Sequence, residues 1–463
     1  MKYIDDIVRK EHLSGNRSFS ALFDIYPHVT YTWRTMKHLI STLFGTKKPR
    51  PVVHELPLGV LIVDIGTELV KALVCRVDGE AGKMRIHGVG KQKQRLGDMY
   101  NGGIIDIENV MVNVRRAVKE AEEQAKMRTE AVVLGIAGEL VKGTTITVEY
   151  ERERPDDTIT LSELRNLVHK VQWRAYEKAR KELTFDTGYS EVEVKLVHSS
   201  LVDIRIDSYR VANPIGFKGR HVQVGIFNAF APLVHFDSLV AIAEGLGREL
   251  LSVIVEPYAV SRCFEMEDGG DMSAIFIDIG GGSTDVALVQ NGGIVGTKMY
   301  GIGGRVFTKR ISKHFHVPFL EAEKMKLEYS ARKLTGLTHN KVEKIIAGDV
   351  ATWLDGLQLA LEGFTQVDRL PSRIYISGGG SLLPDILGSM ASVSWHESLH
   401  FATKPQVAPL KPEHITRVVD ETGTVKNQQD ITPMALANIA YDLTGEERIL
   451  GKVLRQVTRV IST

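Results

Sequence analysis

The sequence predicts an α/β fold of two duplicated domains facing one another across a cleft, with a small α+β subdomain inserted between the two signature motifs. Two observations carry this. A buried strand ending in Asp-Ile-Gly and followed by a second strand occurs twice, and the stretch between the copies has an alternation of its own. At 463 residues, 43% of them apolar, the chain is also long enough to bury two or three cores.

The repeat is Val60-Leu61-Ile62-Val63-Asp64-Ile65-Gly66-Thr67, then Val70 to Val77, and Ala274-Ile275-Phe276-Ile277-Asp278-Ile279-Gly280-Gly281, then Val286 to Val289. Unbroken apolar runs before each Asp suit strands buried on both faces, and the glycines permit a tight hairpin whose amides can face an anion. Asp64 and Asp278 thus occupy equivalent strand ends, and the duplication implies one phosphate hairpin from each domain. A lone Asp-Ile-Gly reads equally well as a strand ending in a turn. The second copy is more specific: in Asp278-Ile279-Gly280-Gly281-Gly282-Ser283-Thr284-Asp285 each glycine weakens regular structure by roughly 1 kcal/mol, which makes sense where another group must approach the backbone.

Composition narrows the function. Lys plus Arg is 58 against 57 acidic residues, so no global field attracts nucleic acid, and none is expected as a partner. Two cysteines, Cys75 and Cys263, are too few for a disulfide framework or a cysteine metal site, which fits a reducing, cytoplasmic compartment. The opening Met1-Lys2-Tyr3-Ile4-Asp5-Asp6 lacks the apolar centre of a secretory signal, and no run of about 20 apolar residues is present, so membrane association is expected to be peripheral. The 15 histidines have no metal-ligand spacing, and no Gly-x-Ser-x-Gly nucleophile motif occurs. Trp173, Trp353 and Trp395 read as packing residues.

Taken together, the motifs resemble the superfamily of actin, sugar-kinase and heat-shock-chaperone ATPases, with ribonuclease H-like domains, through five elements in the same order between Gly59 and Ile386. The resemblance implies ATP and Mg²⁺ as cofactors. Asp64, Gly66, Thr67 and Lys71 match the first phosphate hairpin, and Asp278, Gly280, Gly281, Gly282, Ser283, Thr284 and Asp285 the second; Asp64 and Asp278 would hold Mg²⁺ through its waters. Ile254-Val255-Glu256-Pro257-Tyr258-Ala259 is similar to a chaperone motif whose glutamate orients water, although Glu256 also reads as the start of a helix ahead of Pro257. Gly301-Ile302-Gly303-Gly304 matches a turn opening a helix beside the nucleotide. Glu323 and Lys326 match a Glu-x-x-Lys pair that sandwiches ribose and adenine; their spacing puts both on one helix face, where such a pair alone is an ordinary ion pair. Ile374-Tyr375-Ile376-Ser377-Gly378-Gly379-Gly380-Ser381 resembles the adenosine motif, a strand ending in glycines against which a purine can lie. The implied chemistry is at most slow ATP hydrolysis, with Glu256, Asp64 and Asp278 as catalytic residues.

The insert, from Leu140 to Phe230, distinguishes members of the superfamily. Leu161, Leu164, Leu167, Val168 and Val171 follow helical spacing, while Val192, Val194 and Leu196, then Val202, Ile204 and Ile206, then Val222, Val224 and Ile226 alternate as half-buried strands. Such an insert resembles the bacterial division protein FtsA, whose Pro-Ile-Gly turn is similar to Asn213-Pro214-Ile215-Gly216-Phe217-Lys218-Gly219, and also the pilus protein PilM. At the other end Ile449, Leu450, Val453, Leu454, Val457, Val460 and Ile461 share an arc of about 140°, with Lys452, Arg455 and Arg459 opposite. That pattern suits an in-plane helix on anionic lipids; a terminal helix docked on the protein's own core or on a partner is the alternative. The FtsA resemblance implies self-association into filaments on the cytoplasmic face of the membrane and an FtsZ-like tubulin homologue as partner, whereas a PilM-like role implies a pilus or secretion platform and a small-molecule kinase is the third option. Two departures bear on this: a long N-terminal segment with Trp33, Met36, Leu39, Ile40, Leu43 and Phe44 on one narrow arc, and a short stretch from Lys326 to Ile374 where FtsA binds its partner.

The expected organisation is an N-terminal extension with a basic amphipathic helix at 1–55, a first actin-like domain at 56–139 resumed at 231–270, and the insert at 140–230. A second domain follows at 271–443, with a helical subdomain at about 305–370, and a linker and membrane-targeting helix at 444–463.

Overall fold

Both Asp-Ile-Gly copies fold as hairpins at the centres of two sheets. The structure is a computed structural model that describes residues 59–189, 192–264, 272–392 and 395–444, all within the unit Leu56–Thr463. The amphipathic segment expected at 1–55 and the helix carrying Ile449 to Ile461 lie outside the described residues.

The first lobe opens with β1 (Val60–Ile65), β2 (Leu69–Asp78) and β3 (Lys83–Lys93), then a small ribbon of β4 (Met99–Tyr100) and β5 (Gly103–Ile104), α1 (Ile107–Ala125) and β6 (Ala131–Ile136). Every residue of β1 and β6 is buried, as expected for apolar runs in a sheet covered on both faces. Asp106 caps α1 by accepting the Asn109 amide, and Lys126, in the left-handed region, ends it.

The insert comprises β7 (Lys142–Glu151), α2 (Leu161–Thr187), β8 (Val194–Ile206), β9 (Tyr209–Arg210) and β10 (His221–Pro232). Thr160 caps α2 on the Glu163 amide, and Leu164, Leu167, Val168 and Val171 bury the face that their spacing implies. Each such burial contributes about 2 kcal/mol of transfer free energy. Val194 to Ile206, expected as two strands, is one continuous strand paired along β10 with two register shifts, at Val197 and Val202. Trp173 is not a packing residue of the core: it is 58% exposed and stacks on Tyr176.

The chain then runs through α3 (Leu233–Leu246), β11 (Glu249–Val255) and α4 (Glu256–Ser261) into the second lobe: β12 (Ala274–Ile279), β13 (Thr284–Gln290), β14 (Gly293–Tyr300), α5 (Gly304–Phe315), α6 (Phe319–Ser330), α7 (Gly336–Glu362), β15 (Arg373–Ser377), α8 (Pro384–Ser392) and β16 (Gln406–Pro409). It closes with β17 (Val418–Asp420) and α9 (Ile431–Thr444).

Two sheets organise these elements. One runs β11-β6-β1-β2-β3-β17; the other runs β16-β15-β12-β13-β14-β7-β10-β8-β9. The insert therefore has no sheet of its own. Although β7 follows first-lobe sequence, it pairs with β14 through Gly296↔Thr144 and Thr297↔Gly143, covering what would be an open edge of the second lobe. The other departure is at the end. Residues 418–444, expected in the second domain, return to the first lobe: β17 pairs with β3, and α9 buries Ile431, Met434, Leu436 and Ile439 in the core that holds β1, β2 and β6. Small residues on α9, Ala435, Ala437 and Ala440, are buried in that same core and let the helix approach closely. A second core beneath α5, α6 and α7 is built around Trp353, whose Nε1 donates to Thr284 Oγ1 at 2.9 Å.

Candidate nucleotide site between the lobes

In the first hairpin, the β1–β2 register sets Asp64 opposite Lys71, and Lys71 Nζ lies 2.8 Å from Asp64 Oδ2. Gly66 N donates to Leu69 O at 3.1 Å to close the turn. In the second hairpin the same register sets Asp278 opposite Asp285, and Gly280 N donates to Ser283 O at 2.9 Å. Asp278 accepts a short hydrogen bond from Thr432 Oγ1 on α9. Asp285 is 5% exposed, and its Oδ1 has no hydrogen-bond partner among the described residues.

The two hairpins touch. A Cβ added to Gly281 would lie 2.9 Å from Glu68 Cβ, and one added to Gly282 would lie 2.8 Å from Thr67 Cγ2. The glycine run therefore does admit a close approach, and at these two positions the approaching group is the opposite hairpin.

Between and beside the hairpins is a cavity of ≈570 Å³. Asp64, Gly66, Thr67, Lys71, Glu256, Asp278, Gly280, Gly281, Ser283, Asp285, Gly304, Glu323, Lys326, Gly378, Gly379 and Gly380 all line it. Four expected residues do not: Gly282 packs on Thr67, Gly303 lies tight against Gly280 O, Ser381 Oγ donates back to Gly378 O, and Thr284 Oγ1 turns into the core to bond Ile302 O and Trp353. Glu256 does begin α4 ahead of Pro257, and it also faces the cavity, with its carboxylate so close to Gly135 that a Cβ there would sit 2.5 Å from Oε1. The helix-start reading of Glu256 holds, and the same residue also lines the cavity.

Glu323 and Lys326 form a nearly buried pair at 2.8 Å. Lys326 Nζ donates to Thr308 Oγ1 at 2.9 Å and Gly304 O at 3.1 Å, and Thr308 in turn donates to Glu323, so the pair is anchored on the start of α5 rather than solvated. Gly378 ends β15 with φ +83, and a Cβ there would overlap Asp278 Oδ1; Gly379 next to it faces open space, its nearest neighbour being Gln429 Cβ at 4.0 Å.

Charge is the other signature. Burial first, then the charges of Asp64, Asp285 and Asp278, push the Glu256 carboxyl well above the ordinary carboxylate range, with Lys71 pulling the other way. Burial and then Asp278 do the same to Asp285, and burial raises Asp278 against the opposing Thr432 hydrogen bond and Lys71. Burial works against the Lys71 charge, yet Asp64, Asp278 and Glu256 together outweigh it and raise its pKa. Four carboxylates with one interleaved ammonium, and an unpaired Asp285 oxygen, make a site that a cation would complete. Among the described residues no three carboxylates, histidines or cysteines converge closely enough to ligate a metal directly.

Sequence reasoning missed Gln429 and Thr432, which arrive on the returning C-terminal segment, and Arg305, which follows the Gly303-Gly304 turn. Leu327 and Ser330 were findable, since they extend the Glu323 and Lys326 face of α6 by one turn into the cavity wall.

This geometry has known relatives. The family described as cell division protein FtsA matches residues 275–423, which run from β12 past β17. Over that stretch and beyond it the chain is distantly similar in sequence to FtsA proteins. FtsA of Neisseria meningitidis is 26% identical over 268 residues, 58% of this chain and 60% of that protein, so the aligned stretch spans about three-fifths of that relative's length. FtsA of Enterococcus hirae is 22% identical over 414 residues, covering 84% of this chain and 89% of its own. Among solved structures, a PilM-PilN type IV pilus biogenesis complex superposes with a TM-score of 0.59 at 17% identity, over 82% of this chain and 98% of that one. The fold is thus the actin-like α/β architecture that FtsA and PilM resemblance implied. Among the described residues no helix is long and apolar enough to cross a membrane.

Proposed function

We propose that this chain is an ATP-binding, FtsA-like protein of cell division that self-assembles on the inner face of the cytoplasmic membrane and tethers filaments of an FtsZ-like partner. One observation carries the nucleotide part: Asp64, Glu256, Asp278 and Asp285, from both lobes, crowd a cavity floored by glycine backbone and left short of positive charge.

Asp64 and Asp278 would hold Mg²⁺ through its waters, and the amides of Gly66, Thr67, Gly280, Gly281 and Ser283 would take phosphate oxygens without long charged arms. Bound Mg²⁺ supplies charge neutralisation across those oxygens. Glu323 and Lys326 on one side and Gly378 to Gly380 on the other suit ribose and adenine. Glu256 is the group to orient a water and accept its proton, so any hydrolysis relies on positioning and charge, with no covalent intermediate. Because both hairpins would grip one phosphate chain, losing its terminal phosphate biases lobe closure.

The membrane part rests on the sequence of 449–461. Lys452, Arg455 and Arg459 near an anionic leaflet contribute about 1 kcal/mol each, so a single tail binds reversibly. Many tails on one filament raise the effective affinity about 10²- to 10⁴-fold. Co-sedimentation with anionic and neutral vesicles, with and without MgATP, tests both parts: the full chain pellets with anionic vesicles and more so with MgATP, while a chain ending at Leu443 stays in solution. Equal pelleting of the two would remove the tether. Binding of a tubulin-like filament protein's tail peptide, against a short peptide from an inner-membrane pilus protein, separates the division role from the PilM-like one.

A further inference from the structure

We propose that Arg305 is a positioning residue that locks the first hairpin onto the second, and that this lock sets how tightly the cleft holds a nucleotide; the second clause rests on the ATP-binding reading above. The backbone of Arg305 belongs to the second lobe. Gly304 N donates to Gly280 O at 2.9 Å and Arg305 N to Gly281 O at 2.8 Å, which ties the start of α5 to the second hairpin. The side chain belongs to the first lobe. Its Nη2 donates to Thr67 O at 2.6 Å, its Nε to Glu68 Oε2 at 2.9 Å, and its Nη1 to Met99 O at 3.4 Å and Leu96 O at 3.5 Å.

Three consequences follow. The guanidinium is 8% exposed as a residue, uses all three of its nitrogens on the first lobe and is neutralised by Glu68, so it is committed to protein rather than available to a phosphate. Second, peptide bonds are planar and trans, so drawing the Thr67 carbonyl toward Arg305 turns the Glu68 N–H to the opposite side; Arg305 thereby orients the turn whose amides the first hairpin offers. Third, the contacts of Gly281 with Glu68 and of Gly282 with Thr67 involve the same two residues that Arg305 grips, so fork and glycines form one clasp between the lobes. A lysine could not make this clasp, because one ammonium lacks the planar fork that reaches a carbonyl and a carboxylate together.

The test uses the full chain and two measurements. Amide hydrogen exchange across Gly66 to Leu69 in nucleotide-free protein reads the lock itself: Arg305→Ala speeds exchange there about tenfold while α2 is unchanged. Equilibrium binding of MgATP reads its consequence, a loss of about 10- to 100-fold for Arg305→Ala, an intermediate loss for Arg305→Lys, and a smaller one for Glu68→Gln, which keeps the Thr67 bond. Should Arg305→Ala not fold, the Lys and Gln variants decide by the same ranking. Wild-type exchange and wild-type affinity in the folded variants would overturn the lock. A wild-type chain that binds no MgATP sinks the nucleotide reading alone, and the exchange result still decides whether Arg305 holds the hairpin.

Discussion

The two hairpins share a motif, a fold and a register, and they differ in the residue that faces the aspartate. Opposite Asp64 stands Lys71; opposite Asp278 stands Asp285. The first hairpin is therefore electrostatically closed on itself, and it depends on the other lobe for its shape through Arg305. The second is braced in its own lobe by the Gly303-Gly304 turn and by Trp353 behind Thr284, and from the returning α9 by Thr432, but it doubles the negative charge and leaves an Asp285 oxygen without a partner among the described residues. The repeat keeps the scaffold and changes the charge: one hairpin carries its own cation, and the other carries a second carboxylate.

Removing the internal cation should show the largest effect. Lys71→Met leaves Asp64, Glu256 and Asp278 facing each other in a buried site, and losing one partner of such a pair costs about 3 kcal/mol or more. Urea unfolding should show a lower midpoint at unchanged slope, with MgATP binding lost as well. A midpoint within error of wild type would mean that the first hairpin is not self-neutralised.

Next come the glycines, which separate the clasp from the cavity. Gly282→Ala pushes a methyl group into the side chain of buried Thr67 and should cost about 1 to 3 kcal/mol, because neither hairpin can recede without breaking its partner's contacts. Gly379→Ala meets nothing nearer than 4.0 Å, so it should leave the urea midpoint alone and weaken nucleotide binding by intruding on the cavity. The contrast inverts if Gly282 faces the ligand and Gly379 does not.

How far this site could be read in advance follows from sequence distance. Asp64, Asp278 and the glycine runs are legible because a hairpin's register is local: a strand, a turn and the strand that answers it lie within about a dozen residues. Glu323 and Lys326 are legible by helical spacing, although nothing local says that Thr308 joins them. Pairings made across the chain were not legible. That β7 would complete the second sheet, that Thr432 would return from the C-terminal segment to Asp278, and that Arg305 would reach Glu68 across 237 positions are all decided by which edges and faces remain uncovered once the lobes form. Thr284 shows the converse. It sits within a perfect motif, yet alternation along β13 sends its side chain to Trp353 rather than to the cavity.

A smaller effect of opposite sign tests the second hairpin. Asp285→Asn keeps shape but removes a charge whose ionisation burial and Asp278 disfavour, so the nucleotide-free protein should gain about 1 kcal/mol. The same change should reduce the extra thermal stability conferred by Mg²⁺ with nucleotide. A variant that is both less stable when nucleotide-free and equally responsive to Mg²⁺ would assign Asp285 a plain structural role.

The pH profile gives the finest resolution of the comparison. Glu256, Asp278 and Asp285 have folded-state pKa values raised above their unfolded ones, so the folded chain binds more protons; their contribution is complete below the ordinary carboxylate range and is lost as pH rises through the raised values. His198 and His235 act in the opposite sense, since burial lowers each to about 4: their contribution is complete above the unfolded histidine value and is lost as pH falls through that of the folded state. Lys71, raised, contributes nothing to the slope until strongly alkaline pH. The two sets oppose one another between about pH 4 and the unfolded histidine value, and above that value only the carboxylates among these groups act, so nucleotide-free stability should fall there as pH rises. Asp285→Asn should make the fall above the unfolded histidine value shallower by about half a kcal/mol per pH unit, because one titrating group can supply no more than about 1.4. His198→Phe should change the profile only below the unfolded histidine value, and an Asp285→Asn profile unchanged above that value would show that the second hairpin's extra charge is not what separates it from the first.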